Sequence, residues 1–208
     1  MSAGCGHDVK FDGIDPAYKR VLLVVIAINA FMFLVEMPMG FVGQSQALKA
    51  DALDFLGDTF TYAISLAVIG KAATLRAKVA LLKGLSLAAM GIWVLGSTIY
   101  SVFYMQAPTA VIMGSVGFAA LIANVVSVLL LMRFKDGDAN VRSVWLCSRN
   151  DAIGNIMVMV AASGVWLSGT GWPDLIVAGG MASLFLSGAF TIIRQARREL
   201  AHNHAPAE

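Results

Sequence analysis

Asp54 and Asp58 lie four residues apart, and Cys147 and Asp151 repeat that spacing in a second apolar stretch. Positions i and i+4 of a helix share a face, one turn apart. Two stacked carboxylates repel unless a cation or a proton sits between them. Two helices that each present two such groups supply four donors, the number Zn2+ favours. Asp51 joins Asp54 and Asp58 in a stretch otherwise apolar enough to cross a bilayer. A charged side chain at the bilayer centre costs at least about 2.5–3.5 kcal/mol. A purely structural membrane bundle requires no such cluster, so these residues point to the movement of cations.

The composition explains what must position them. The chain is 58% hydrophobic and 13% charged, against about 25% charged in typical soluble domains. It reads as an all-α membrane protein, located in the cell (inner) membrane as a multi-pass chain. Its 208 residues leave room for about six helices of about 20–25 residues. The pattern predicts spans at 18–40, 46–69, 81–104, 109–132, 141–167 and 174–193. From Lys83 to Arg133 no Lys, Arg, Asp or Glu intervenes, and the Gln106-Ala107-Pro108 break divides that run in two.

Basic residues alternate along this frame. Lys10, Lys19 and Arg20 precede the first span; Lys71, Arg76, Lys78 and Lys83 lie between the second and third. Arg133, Lys135 and Arg142 lie between the fourth and fifth, and Arg194, Arg197 and Arg198 follow the sixth. The connections near Gly43, Gln106 and Gly169 carry none. The positive-inside rule therefore predicts six transmembrane helices with both termini cytoplasmic. The organisation expected is an N-terminal tail over 1–17, a membrane domain over 18–195 and a short tail over 196–208.

Several classes are disfavoured. A net charge of +2, explained by topology, suggests no nucleic acid partner. Cys5 and Cys147 are too few for a disulfide framework. No phosphate loop, nucleophile elbow or HExxH run occurs, so no enzyme and no organic cofactor is expected.

Other polar residues have more ordinary readings. Asp51 either serves as an outer ligand, pairs with Lys49 or caps a neighbouring helix. Asn29, Glu36 and Asn124 read more readily as interhelical hydrogen-bond partners than as ligands. Asn155 is placed to donate to the Asp151 carboxylate, while Arg149 and Asn150 face neighbours or a cytoplasmic cavity. Cys5, His7 and Asp8 at one terminus and His202 and His204 at the other are weaker candidates for collecting metal. Gly179, Ser183 and Ser187, like Gly84, Ala88 and Gly91, form small-residue faces suited to close helix packing.

The run from Ser45 to Asp58, SQALKADALDFLGD, resembles the second-helix signature of the cation diffusion facilitator family. Asn29, Glu36 and Gly40 are similar to its first helix, and Asn124 to a polar position in its fourth. Cys147 to Asp151 followed by Gly154 and Asn155 resembles its fifth helix, and Trp172-Pro173-Asp174 its sixth. The resemblance covers about residues 18–195. It implies a homodimer of six-helix protomers in a lipid bilayer, exporting Zn2+ or a related divalent ion as transported substrate against inward proton flow. By position it implies the ligand set Asp54, Asp58, Cys147 and Asp151. Cysteine replaces the family's His or Asp at the first fifth-helix position. The chain also reads as a short member without the family's cytoplasmic metal-binding domain, so dimerisation would rest on membrane helices. The metal expected is Zn2+, with Cd2+ as a companion. A Mn2+, Fe2+ or Co2+ exporter, another transporter class such as a channel or organic-cation exporter, and a non-transporting assembly subunit are the alternatives.

Overall fold

The structure, a computed structural model, describes residues 16–67, 73–104, 107–134 and 139–202. Among these residues there is no β-strand, and six α-helices follow one another. They are α1 (Pro16–Val42), α2 (Gln46–Ala67), α3 (Ala73–Tyr104), α4 (Ala110–Leu131), α5 (Ala139–Ser168) and α6 (Trp172–His202), with a 3-10 turn at Met132–Phe134. Each falls on an expected span. Helices α3 and α6 run furthest past their apolar segments, α3 starting earlier and α6 ending later. Hydropathy marks the buried stretch, whereas backbone hydrogen bonding continues into the Lys- and Arg-bearing ends.

Five of the six are long and apolar enough to cross a membrane. The exception is α2, 22 residues long, whose Asp51, Asp54 and Asp58 lower its hydropathy. The outer surface of the bundle is apolar: Phe103, Val111 and Leu167 are each more than 70% exposed. Such a surface requires lipid. The chain is a multi-pass membrane protein.

The helices pack chiefly as three pairs, α1 with α2, α4 with α5, and α3 with α6. Helices α1, α2, α4 and α5 form a bundle, and the α3–α6 pair lies against α2. The α1–α2 turn closes through Ser45 N donating to Gly40 O at 3.0 Å, with Gln44 in the left-handed region at φ 54°. Thr109 N donates to Gly43 O at 2.9 Å, and Gly171 lies against Pro108. Three connections are thereby gathered at one end, termed here the turn end. At the opposite end Tyr18 meets Phe134 edge-to-face, with ring centroids 5.3 Å apart.

Small residues settle the α3–α6 contact. A Cβ at Gly84 would lie 2.7 Å from Ile193 Cγ1, and one at Gly91 would lie 2.9 Å from Leu186 Cγ. The Gly179, Ser183 and Ser187 stripe corrects its expectation. Gly179 has no side-chain neighbour within 4 Å, and Ser183 and Ser187 are exposed, whereas Ala178, Ala182, Phe185 and Ala189 form the inward face. A period of four residues defines a helix face but not the direction it points. Gly84→Ala is expected to lower stability by about 1–3 kcal/mol through overpacking. Gly96→Ala, where nothing lies within 4 Å, should be neutral or stabilising. Thermal unfolding of the purified variants in detergent checks the pair.

Two apolar layers bracket the interior of the bundle. Toward the turn end are Ala47, Leu48, Met113, Val116, Val158, Ala161, Ala162 and Val165. Toward the other end are Tyr18, Leu22, Val25, Tyr62, Leu131 and Val144. The polar residues lie between them.

Candidate metal centre

Asp54 and Asp58 project from α2 because the helix runs unbroken from Gln46, and its apolar positions pack elsewhere. Phe55 is buried against Met32 of α1 and Ala120 of α4, and Ala50 packs with Val94 and Phe185 of α3 and α6. That rotation leaves Asp51, Asp54 and Asp58 facing the bundle. Asp151 reaches the same level from α5, where Val158 and Val144 anchor the helix on either side.

Asn29, Asp51, Asp54, Phe55, Asp58, Asn124 and Asp151 line one narrow cavity. Asp151 lies within hydrogen-bonding reach of both Asp54 and Asp58. The three sequence-selected carboxyl groups are thus brought together from two helices. Among the described residues no three Asp, Glu, His or Cys side chains are gathered tightly enough to ligate one ion as they stand. Like charges resist further approach unless a cation or a proton lies between them. Cys147 lies on α5 one turn before Asp151, but its side chain falls outside the described residues. Cys5, His7, Asp8 and His204, and the side chain of His202, also lie outside them.

The surroundings hold the α2 carboxyl groups at their level. The Tyr62 hydroxyl reaches Asp58 and lies 3.4 Å from Ser148 Oγ of α5, closing the site on the side away from the turns. Lys83 of α3 places a positive charge toward Asp58. Asn29 and Asn124 line the cavity rather than serving only as links between helices, and the Asn29 amide donates to Val25 O on its own helix at 3.0 Å. Asn155 does not serve the Asp151 carboxylate. Its Nδ2 donates to the Asp151 backbone carbonyl at 3.0 Å, because one turn along the same helix aims the amide at that carbonyl. Arg149 and Asn150 are exposed and lie beside one another at 3.3 Å, with the Arg149 guanidinium over Trp145.

Sequence reasoning missed the residue that fixes the start of α2. Asp174, 1% exposed at the start of α6, accepts from Ser45 Oγ at 2.6 Å, Gln46 N at 2.8 Å and Ala47 N at 3.0 Å. Ser45 Oγ also accepts from Leu48 N at 3.0 Å, and Gln46 Nε2 donates to Ser101 Oγ of α3 at 2.6 Å. A carboxylate from one helix thus satisfies the orphan N–H groups of another and complements its positive end. The signal was a lone acidic residue opening an otherwise apolar span. Asp51 neither pairs with Lys49 nor caps a helix; it faces Glu36 of α1. Lys49 instead stacks over Phe41, 4.8 Å from the ring centroid.

The family described as "Cation efflux transmembrane domain" matches residues 22–201. The chain is 26% identical over 187 residues to "Metal cation efflux system protein CzcD" of Cupriavidus metallidurans, and equally to "Cation efflux system protein CzcD" of Alcaligenes sp. strain CT14. Both alignments cover 84% of this chain, which spans 58% of the length of those curated relatives. With four helices around an acidic cavity and a family match over most of its length, the chain belongs to the cation efflux, or cation diffusion facilitator, family.

Proposed function

We propose that the protein exports a divalent metal cation from the cytoplasm, most suitably Zn2+ and also Cd2+, in exchange for protons. The observation that carries this reading is the convergence of Asp54 and Asp58 from α2 with Asp151 from α5 on one cavity. Cys147 completes the four-ligand set, and its thiolate favours Zn2+ or Cd2+ over harder ions. The relatives, one named a metal cation efflux protein and the other a cation efflux protein, support export of a metal cation. All six helices cross the bilayer, α2 included, because its carboxyl groups face the bundle interior rather than lipid. The end opposite the turns faces the cytoplasm, where the positive-inside rule puts the basic residues. The protomers pair as a homodimer through their membrane helices.

Coupling follows from competition. Metal binding requires deprotonated carboxylates and thiolate, so protons arriving from outside release the ion. Rocking of helix groups about the midplane site alternates access. The apolar layers on either side of the cavity are the segments that must part in turn.

Vesicles containing the purified protein test the proposal. Zn2+ and Cd2+ uptake is expected to rise with an imposed pH gradient that drives protons the opposite way. Zn2+ affinity should fall with decreasing pH, by up to about tenfold per pH unit for each proton displaced. Uptake indifferent to the gradient would remove proton exchange from the account, and absence of uptake would remove export.

A further inference from the structure

Helix α6 carries Arg194, Arg197 and Arg198 at the end opposite the turns, all of them exposed. Arg194 and Arg198 are four residues apart, so they share a face, one turn apart. With Phe190, Thr191 and Gln195 they line a surface groove of about 380 Å³, a size suited to a small ligand or a headgroup. Like charges at this spacing work against a helix, and an anion between them reverses that sign. Among the described residues neither Arg194 nor Arg198 has an ion pair, a hydrogen bond or a ring partner. By contrast, Arg133 lies over Phe134 and Arg149 over Trp145. From Leu175 to His202 the only acidic residue is Glu199, whose side chain lies outside the described residues.

Depth decides what this groove meets. Helix α6 starts at Trp172, and at about 1.5 Å per residue Arg194 and Arg198 lie about 33 and 39 Å along it. The hydrocarbon core is about 30 Å thick. With Trp172 at one interface, the guanidinium pair therefore lies in the headgroup layer of the other. Phe190 is 68% exposed, and at about 27 Å along the helix it borders the hydrocarbon. Toward mid-membrane the same face continues as Ser187 and Ser183, whose hydroxyls donate to Leu184 O at 3.0 Å and Gly179 O at 2.9 Å. Thr191 Oγ1 likewise donates to Ser187 O at 3.0 Å. With these O–H groups committed to their own helix, the face beside the arginines can lie against an acyl chain.

We propose that the groove binds an anionic phospholipid, its phosphate held by Arg194 and Arg198 and an acyl chain lying past Phe190. Guanidinium groups take phosphate oxygens through paired N–H donors, and these charge-assisted bonds are the strong ones. A zwitterionic headgroup would bring its ammonium beside Arg194, Arg197 and Arg198, with no described carboxylate to receive it. A free phosphate ion would satisfy the arginines but leave Phe190 uncovered. An anionic lipid satisfies both ends of the groove at once. The site needs only the bilayer, and it stands whether or not the protein exports metal.

Native mass spectrometry of the purified full chain, offered equimolar phosphatidylglycerol and phosphatidylcholine with matched chains, reads the preference. Each arginine near the headgroups is expected to strengthen anionic lipid binding about fivefold, so phosphatidylglycerol should be favoured by about 10–25-fold. The double variant Arg194→Gln with Arg198→Gln should lose that preference, and lysine at both positions should keep most of it. Arg133→Gln, at the same end of the bundle but over Phe134, should leave it unchanged. If the double glutamine variant does not fold, Arg194→Gln and Arg198→Gln singly, each about fivefold weaker, carry the test. Equal binding of the two lipids, a preference that the glutamine variants retain, or an equal loss in Arg133→Gln overturns the site. Displacement of the bound lipid by millimolar inorganic phosphate assigns the groove to a soluble anion and overturns the lipid.

Discussion

Asp54→Ala and Asp151→Ala are each expected to abolish metal uptake, lowering Zn2+ affinity by at least about 10–100-fold. Even partners one shell removed from a metal carry that much, and these two carboxyl groups line the cavity directly. Because Asp151 reaches both Asp54 and Asp58, its loss leaves the two α2 groups without their facing partner. Asn150→Ala, an exposed neighbour on the same helix turn, should transport as the unmodified protein does. Uptake of labelled zinc by vesicles carrying equal amounts of each variant makes the comparison. Normal uptake in Asp151→Ala would dissolve the link between α2 and α5 on which the site depends.

Asp174→Ala is expected to be the most destabilising single change, by about 3–5 kcal/mol. It strips three donors, Ser45 Oγ, Gln46 N and Ala47 N, of their acceptor in a buried place. Each orphaned group costs about 1–3 kcal/mol. Asp174→Asn should fall between, since one acceptor oxygen survives while the amide nitrogen faces an N–H group. Thermal unfolding in detergent, with the folded fraction read by size exclusion, orders the three proteins. An Asp174→Ala protein as stable as the original would show that the α6 carboxylate does not hold the start of α2.

The sequence made the candidate metal centre partly legible because its logic is local. Carboxylates at i and i+4 inside an apolar helix must share a face, and the alternation of basic loops predicts which helices run in which direction. What stayed hidden was register between distant segments. Asp174 meets Ser45 across 129 residues, and no spacing rule relates them. Glu36 was read as an interhelical partner and Asp51 as an outer ligand, a partner of Lys49 or a cap, and what each meets depends on how α1 slides against α2. Gly40 sets that register: a Cβ there would lie 2.9 Å from Lys49 Cγ. The serine stripe of α6 was legible as a face and misread in direction, since lipid and protein both accept small residues. Asn155 was read by helical adjacency alone, which could not distinguish its neighbour's carboxylate from its carbonyl.

Zinc K-edge absorption on the loaded, purified protein tests the two-helix site most directly. The spectrum should show one ion per chain with oxygen donors at about 2.0–2.2 Å and a single sulfur at about 2.3 Å. The sulfur contribution should vanish in Cys147→Ser, and the bound ion should be lost in Asp54→Ala. An ion retained unchanged in Asp54→Ala, or ringed by histidine nitrogens, would place the metal elsewhere and contradict the account.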